Sequence, residues 1–118
     1  MDSQEVIAAA IATLSDRARD VRQRYAAYET SLIGREWSTS ELMSGFVVDV
    51  GDLTRLVMAT TGVRKVEDVA SKLEHELADC LWSILVLAER LDVDLARAFD
   101  TTMKELTEFL DEQVSETS

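Results

Sequence analysis

The segment His75–Leu91, HELADCLWSILVLAERL, constrains the fold of this chain more than any other stretch. Between Leu77 and Ala88 its one charged residue is Asp79, and the apolar side chains point in every direction around a helix. A helix that is hydrophobic all round is enclosed by partners. A chain of 118 residues cannot easily enclose one alone, so part of this helix is expected at a subunit interface. Glu76 stands three positions before Asp79, which puts both carboxylates on one side of the helix. Burying a carboxylate without a partner is costly, so these two acids need a physical reason to be there.

The rest of the sequence supports an all-α reading. There is no proline, there are four glycines, and Ala, Leu, Glu and Arg, all strong helix formers, are abundant. One domain over 1–118 is expected, burying about two-thirds of its unfolded surface. A first helix is capped by Asp2 or Ser3 and ends at Gly34. Its apolar stripe, Ile7, Ile11, Leu14, Ala18, Val21, Tyr25, Tyr28 and Leu32, recurs at alternating steps of four and three. The other faces carry Asp16, Arg17, Arg19, Asp20, Arg22 and Arg24, read as solvated. Ser38-Thr39-Ser40-Glu41 has the form of a capping box opening a second helix. That helix has Leu42, Phe46, Val50, Leu53 and Val57 inward and closes at Gly62. Val63-Arg64-Lys65 forms a turn. A third helix runs from near Glu67-Asp68 to Leu91, with Val69, Leu73 and Leu77 inward. Asp92-Val93-Asp94 turns into a fourth helix with the stripe Leu95, Phe99, Met103, Leu106 and Leu110. The acidic tail 111–118 is expected to fray.

Charge and cysteine usage narrow the function. A net charge of −11 argues against a nucleic-acid partner, which requires a basic stripe. An acidic protein that handles phosphates needs metal ions to invert the local charge. Cys80 is the single cysteine and reads as a small core residue rather than a nucleophile. The N-terminal segment lacks the basic region of a signal peptide, and no apolar run reaches the ~20 residues of a membrane span. These features predict a cytoplasmic protein without membrane contact.

Two acid pairs stand out: Asp49-x-x-Asp52 on the second helix and Glu76-x-x-Asp79 on the third. Asp49 falls inside an apolar arc beside Leu42 and Leu53, and Asp52 sits at its edge. A short turn joins the two helices, so they should pack antiparallel and bring both pairs to one level. Four like charges gather only with compensation. Mg²⁺ or Mn²⁺ supplies it, taking oxygen ligands while leaving positions for water and substrate phosphates. The lone His75 precedes a ligand and is read as facing solvent or an acid rather than the metal. Gly45 and Gly51, on the same helix as the first pair, would let a second backbone or a ligand approach.

The wording of these helices, GFVVDVGDL (Gly45–Leu53) followed by HELADCLWSILVLAERLDVDLARAF (His75–Phe99), resembles the MazG-like all-α nucleoside triphosphate pyrophosphohydrolases. That family carries E-x-x-E, often as EVGEL, then E-x-x-D as ELADVL. The resemblance covers roughly residues 38 to 106. It implies a four- to five-helix unit working as a homodimer or homotetramer. It also implies Mg²⁺ ligation by Asp49, Asp52, Glu76 and Asp79, and hydrolysis of nucleoside triphosphates to monophosphate and pyrophosphate. Asp49 or Asp52 would orient the attacking water or take its proton.

The sequence also departs from that pattern. Asp replaces Glu at both positions of the first pair, so each carboxylate reaches one methylene less. Ser83 stands where many members have an aromatic residue beneath the base. Thr102 and Leu106 occupy the places of a phosphate-holding Lys and Asn, which shifts that task to Lys72, Arg64, the first helix or a neighbouring subunit. Trp37, in the linker, is available for base stacking or for packing, whereas Trp82 reads as an interface filler. A non-catalytic helical module that binds a nucleotide or a protein partner is the alternative reading.

Overall fold

The computed structural model describes residues 1–63 and 65–117. It contains four helices and, among the described residues, no strand. They are α1 (Ser3–Ile33), α2 (Thr39–Thr60), α3 (Val69–Arg90) and α4 (Leu95–Thr117). Their boundaries follow local chemistry. Asp2 caps α1 by accepting from the Glu5 N–H at 2.8 Å. Gly34 ends α1 at φ 79°, a left-handed conformation that glycine adopts without a side-chain clash, and donates its N–H to Thr30. Ser38 and Glu41 form the reciprocal capping box at the start of α2. Asp94 receives the Arg97 N–H at 3.2 Å and opens α4.

One boundary lies slightly beyond its expected place. The third helix begins at Val69, after Asp68 in a left-handed conformation (φ 56°) that makes no side-chain cap. α4 continues to Thr117, exposed throughout its last turns. No glycine or proline interrupts the chain after Gly62, so nothing in its backbone chemistry stops α4 earlier. Arg64 of the expected turn lies outside the described residues.

α2 and α3 pack against each other most extensively, and α1 lies against both α3 and α4. The core is small: Ala18, Leu42, Leu85 and Val86 are buried together, with Ile11, Trp82, Leu87 and Leu95 against them. The Trp82 indole N–H donates to the Ala18 carbonyl, and its ring meets Tyr25 at 5.7 Å between centroids. The molecule extends over 60 × 40 × 26 Å with a radius of gyration of 18.1 Å. A compact chain of this length has a radius near 13–14 Å.

The rotation of α1 corrects the reading of its faces. Arg22, expected in solvent, is buried, and so is Glu29. Their side chains pair, and Glu29 also accepts the backbone N–H of Trp37 at 2.8 Å. Arg90 donates to the Trp37 carbonyl and pairs with Glu36, and Arg19 reaches Glu89 at 2.6 Å. The face turned inward is therefore Ile11, Ser15, Ala18, Arg22, Ala26 and Glu29. The apolar stripe of Leu14, Val21, Tyr25, Tyr28 and Leu32 is left exposed, roughly 80° around the helix. Polar anchoring to the α1–α2 link and to the end of α3 sets this angle. Leu77 is likewise exposed, contrary to its expected inward place, and so are Leu81 and Ile84. The central helix is buried on one side only, through Cys80, Ser83, Leu85 and Val86.

Two outcomes follow from these contacts. Glu29→Ala leaves the Arg22 charge and the Trp37 N–H without their carboxylate inside the protein. Urea unfolding should show a loss of about 3 kcal/mol, the usual scale for breaking a buried pair. The Glu41 carboxyl is held down to about 2 by the Arg35 guanidinium and by the N–H of Ser38. Its folded value lies below its ordinary 4.5, so its stabilisation is complete above that pH and is lost as pH falls toward 2. Glu41→Gln should flatten that acid limb in thermal melts recorded across the same range.

Candidate metal centre

The α2–α3 hairpin brings the two acid pairs together. On α2, Asp49 and Asp52 lie about one turn apart, and on α3 Glu76 and Asp79 do the same. Ligand atoms of Asp49, Asp52 and Glu76 all fall within 4.8 Å of one another, and so do those of His75, Glu76 and Asp79. Glu76 belongs to both groups and links the helices. All four acids are half-buried.

Each carboxylate has a different environment. Asp52 is paired with Arg55, one turn further along α2. Asp79 receives His75 Nε2 at 3.1 Å, one turn back on α3. Burial raises the proton affinity of Asp49, the nearby charge of Asp79 raises it further, and His75 opposes them. Glu76 Oε2 is buried and has no hydrogen-bond partner. An orphaned carboxylate oxygen facing two aspartates is what a hard divalent cation would satisfy, because such ions take oxygen donors from several carboxylates at once. The donor set therefore fits Mg²⁺ or Mn²⁺.

The remaining residues singled out in the sequence are placed as follows. Ser83 is buried one turn beyond Asp79, and Lys72 is exposed one turn before Glu76, so both lie along the face of α3 that carries the acids. Trp37 is partly exposed, with its ring beside Gly45: a Cβ there would lie 3.5 Å from Cζ3. Gly45 is one turn before Asp49, so the indole borders the acid cluster. Cys80 is buried, and its thiol is pushed up by burial and by the neighbouring acids, which suits a core residue rather than a nucleophile.

One expectation changes, and one residue was not foreseen. A Cβ on Gly51 would meet nothing within 4 Å, and one on Gly45 would make only ordinary contact with Trp37. The glycines therefore do not bring a second backbone closer to compensate for the shorter aspartates. Arg55, overlooked in the sequence, lies over one of the acids; its i, i+3 spacing from Asp52 was the available signal. His75 lies within reach of Glu76 as well as Asp79, and its Asp79 contact agrees with its expected place beside an acid.

Comparison of the chain with profiles of known protein families, with curated proteins and with solved structures finds no match. No helix among the described residues is long and apolar enough to cross a membrane.

The crowding of Asp49 predicts a measurable effect. Without metal, Asp49→Asn removes a desolvated charge that faces Asp79, so the variant should be more stable by up to about 1 kcal/mol in urea unfolding, after allowance for its partial exposure. If divalent ions bind here, their addition should stabilise the wild type and reverse this order.

Proposed function

We propose that this chain is a Mg²⁺-dependent nucleoside triphosphate pyrophosphohydrolase, of the house-cleaning kind, which converts a ribo- or deoxyribonucleotide substrate to the monophosphate and pyrophosphate. The observation that carries this reading is the meeting of Asp49, Asp52 and Glu76 across two helices, with one Glu76 oxygen buried and unpartnered. The resemblance of the α2 and α3 wording to the MazG-like enzymes supplies the reaction class. Bound Mg²⁺ would neutralise the phosphate oxygens and polarise a water.

The residues of the chain divide the remaining work. Asp49, Asp52, Glu76 and Asp79 would hold the cation. Of the two candidates for orienting the water and accepting its proton, Asp52 is tied to Arg55. No cation pairs with Asp49 among the described residues, so Asp49 is the better base. Lys72, exposed on the acid-bearing face, is placed to meet a phosphate oxygen. Trp37 offers the open part of its ring to a base, and Ser83 lies at the closed end of the same face. A homodimer or homotetramer with α3 at an interface would cover Leu77, Leu81 and Ile84.

The test is a pyrophosphate-release screen over canonical and modified nucleoside triphosphates with Mg²⁺ or Mn²⁺. On the substrate it identifies, Glu76→Gln should lower kcat/KM by at least about a hundredfold while leaving the helical circular dichroism intact, since it removes a ligand rather than a supporting contact. No turnover of any triphosphate, together with a metal-induced melting shift that Glu76→Gln leaves unchanged, would refute the proposal. A second reading, a non-catalytic nucleotide-binding module, draws on the Asp52–Arg55 and Asp79–His75 contacts, which already engage two of the four acids. Thermal stabilisation by nucleotide and metal without turnover would select it.

A further inference from the structure

Two largely exposed apolar stripes remain, and they complement each other. The first lies on the C-terminal half of α1: Val21, Tyr25, Tyr28 and Leu32 are 40–63 % exposed. Val21, Arg24, Tyr25 and Tyr28 line an apolar hollow of ≈ 210 Å³ there. The second lies on α4, the most strongly amphipathic of the four helices. Every described residue from Thr101 to Thr117 is exposed, including Met103, Leu106, Phe109, Leu110 and Val114. In proteins most helical stability comes from tertiary packing of an amphipathic face.

Charge and area both point to a second copy as the occupant. In a chain of net charge −11, Arg17 and Arg24 flank this stripe on α1, Arg24 pairing with Asp20. The distal half of α4 carries Glu105, Glu108, Asp111, Glu112 and Glu116 against the single Lys104. Arg24, on the rim of the hollow, is 78 % exposed along its side chain. The accessible surface is 8681 Å², about 2,300 Å² more than a folded monomer of this mass presents. Covered reciprocally in two copies, that excess matches the ~2,000–5,000 Å² of an obligate homodimer.

We infer that two copies exchange their last helices: the distal half of α4 from each packs its Met103–Val114 face onto the Val21–Leu32 stripe of the other's α1. Each α1 then completes its heptad-spaced seam with apolar side chains from the partner, and the acidic flank of α4 lies along the arginine-bearing flank of α1. The contact is heterologous in its elements and closes by two-fold symmetry, so it leaves no open end for further growth. It stands apart from the catalytic proposal and can hold if that proposal fails.

The test is photo-crosslinking in the full-length protein. Unlabelled chain with p-benzoylphenylalanine in place of Leu106 is mixed with ¹⁵N-labelled wild-type chain, allowed to exchange, irradiated and digested with trypsin. Adducts are expected between chains, on the labelled Tyr25–Arg35 peptide. In sedimentation equilibrium, Leu106→Asp with Leu110→Asp, and separately Tyr28→Asp with Leu32→Asp, should each weaken the self-association that depends on this contact by at least about thirtyfold. These side chains are exposed within their own chain, so the substitutions spare its core. Adducts confined to one chain, adducts on the partner's α4 or α2–α3 face, no adduct at all, or unchanged association of both double variants would each overturn the exchange.

Discussion

One buried carboxylate governs how this chain presents its surfaces. Glu29 takes the Arg22 guanidinium and the Trp37 N–H, while Arg90 donates to the Trp37 carbonyl, in the next peptide group. These bonds tie the end of α1 to the entrance of α2 and to the last turn of α3. They fix α1 at a rotation in which a polar flank faces inward and the apolar stripe faces out. The loss of hydrophobic burial within the chain is large, because Tyr25, Tyr28 and Leu32 all remain wet. The chain thus engages polar groups in the packing of α1 while its apolar seam stays open.

The acid cluster obeys a similar division. Asp52 has the Arg55 guanidinium one turn away, and Asp79 has the His75 imidazole 3.1 Å away, each supplied by its own helix. Asp49 and Glu76 face each other across the helix pair, and there the desolvation cost is concentrated. Local ion pairs along a helix surface contribute little stability, so Arg55 acts chiefly to limit repulsion. The site is therefore crowded and charged, held in place by the apolar contacts of the hairpin.

Much of this was legible in the residues. The helix ends at Gly34, Ser38 and Asp94 follow from capping chemistry that is local to a few positions. The convergence of Asp49 with Glu76 was foreseeable, because a short turn and helical period leave few ways to pair α2 with α3. The burial of Arg22 and Glu29 was not. A periodicity argument places polar residues outward, and it cannot see that a carboxylate eight positions before Trp37 reaches that backbone N–H. The acidic composition of residues 111–117 is compatible with helix, because Glu and Gln are good helix formers. The half-exposure of α3 was masked by its composition, which shows how much apolar surface exists without showing how much of it one chain covers.

The clamp on Trp37 also bears on timing. Its backbone N–H and its carbonyl are both hydrogen-bonded, and the indole rests against Gly45 a turn from the acids. A side chain mounted this way is a wall, not a lid. A ligand that lies against it would meet a surface already in place, so little of the encounter would be spent on ordering the loop. Discrimination between ligands of similar shape would then appear in how long each stays, not in how fast each arrives.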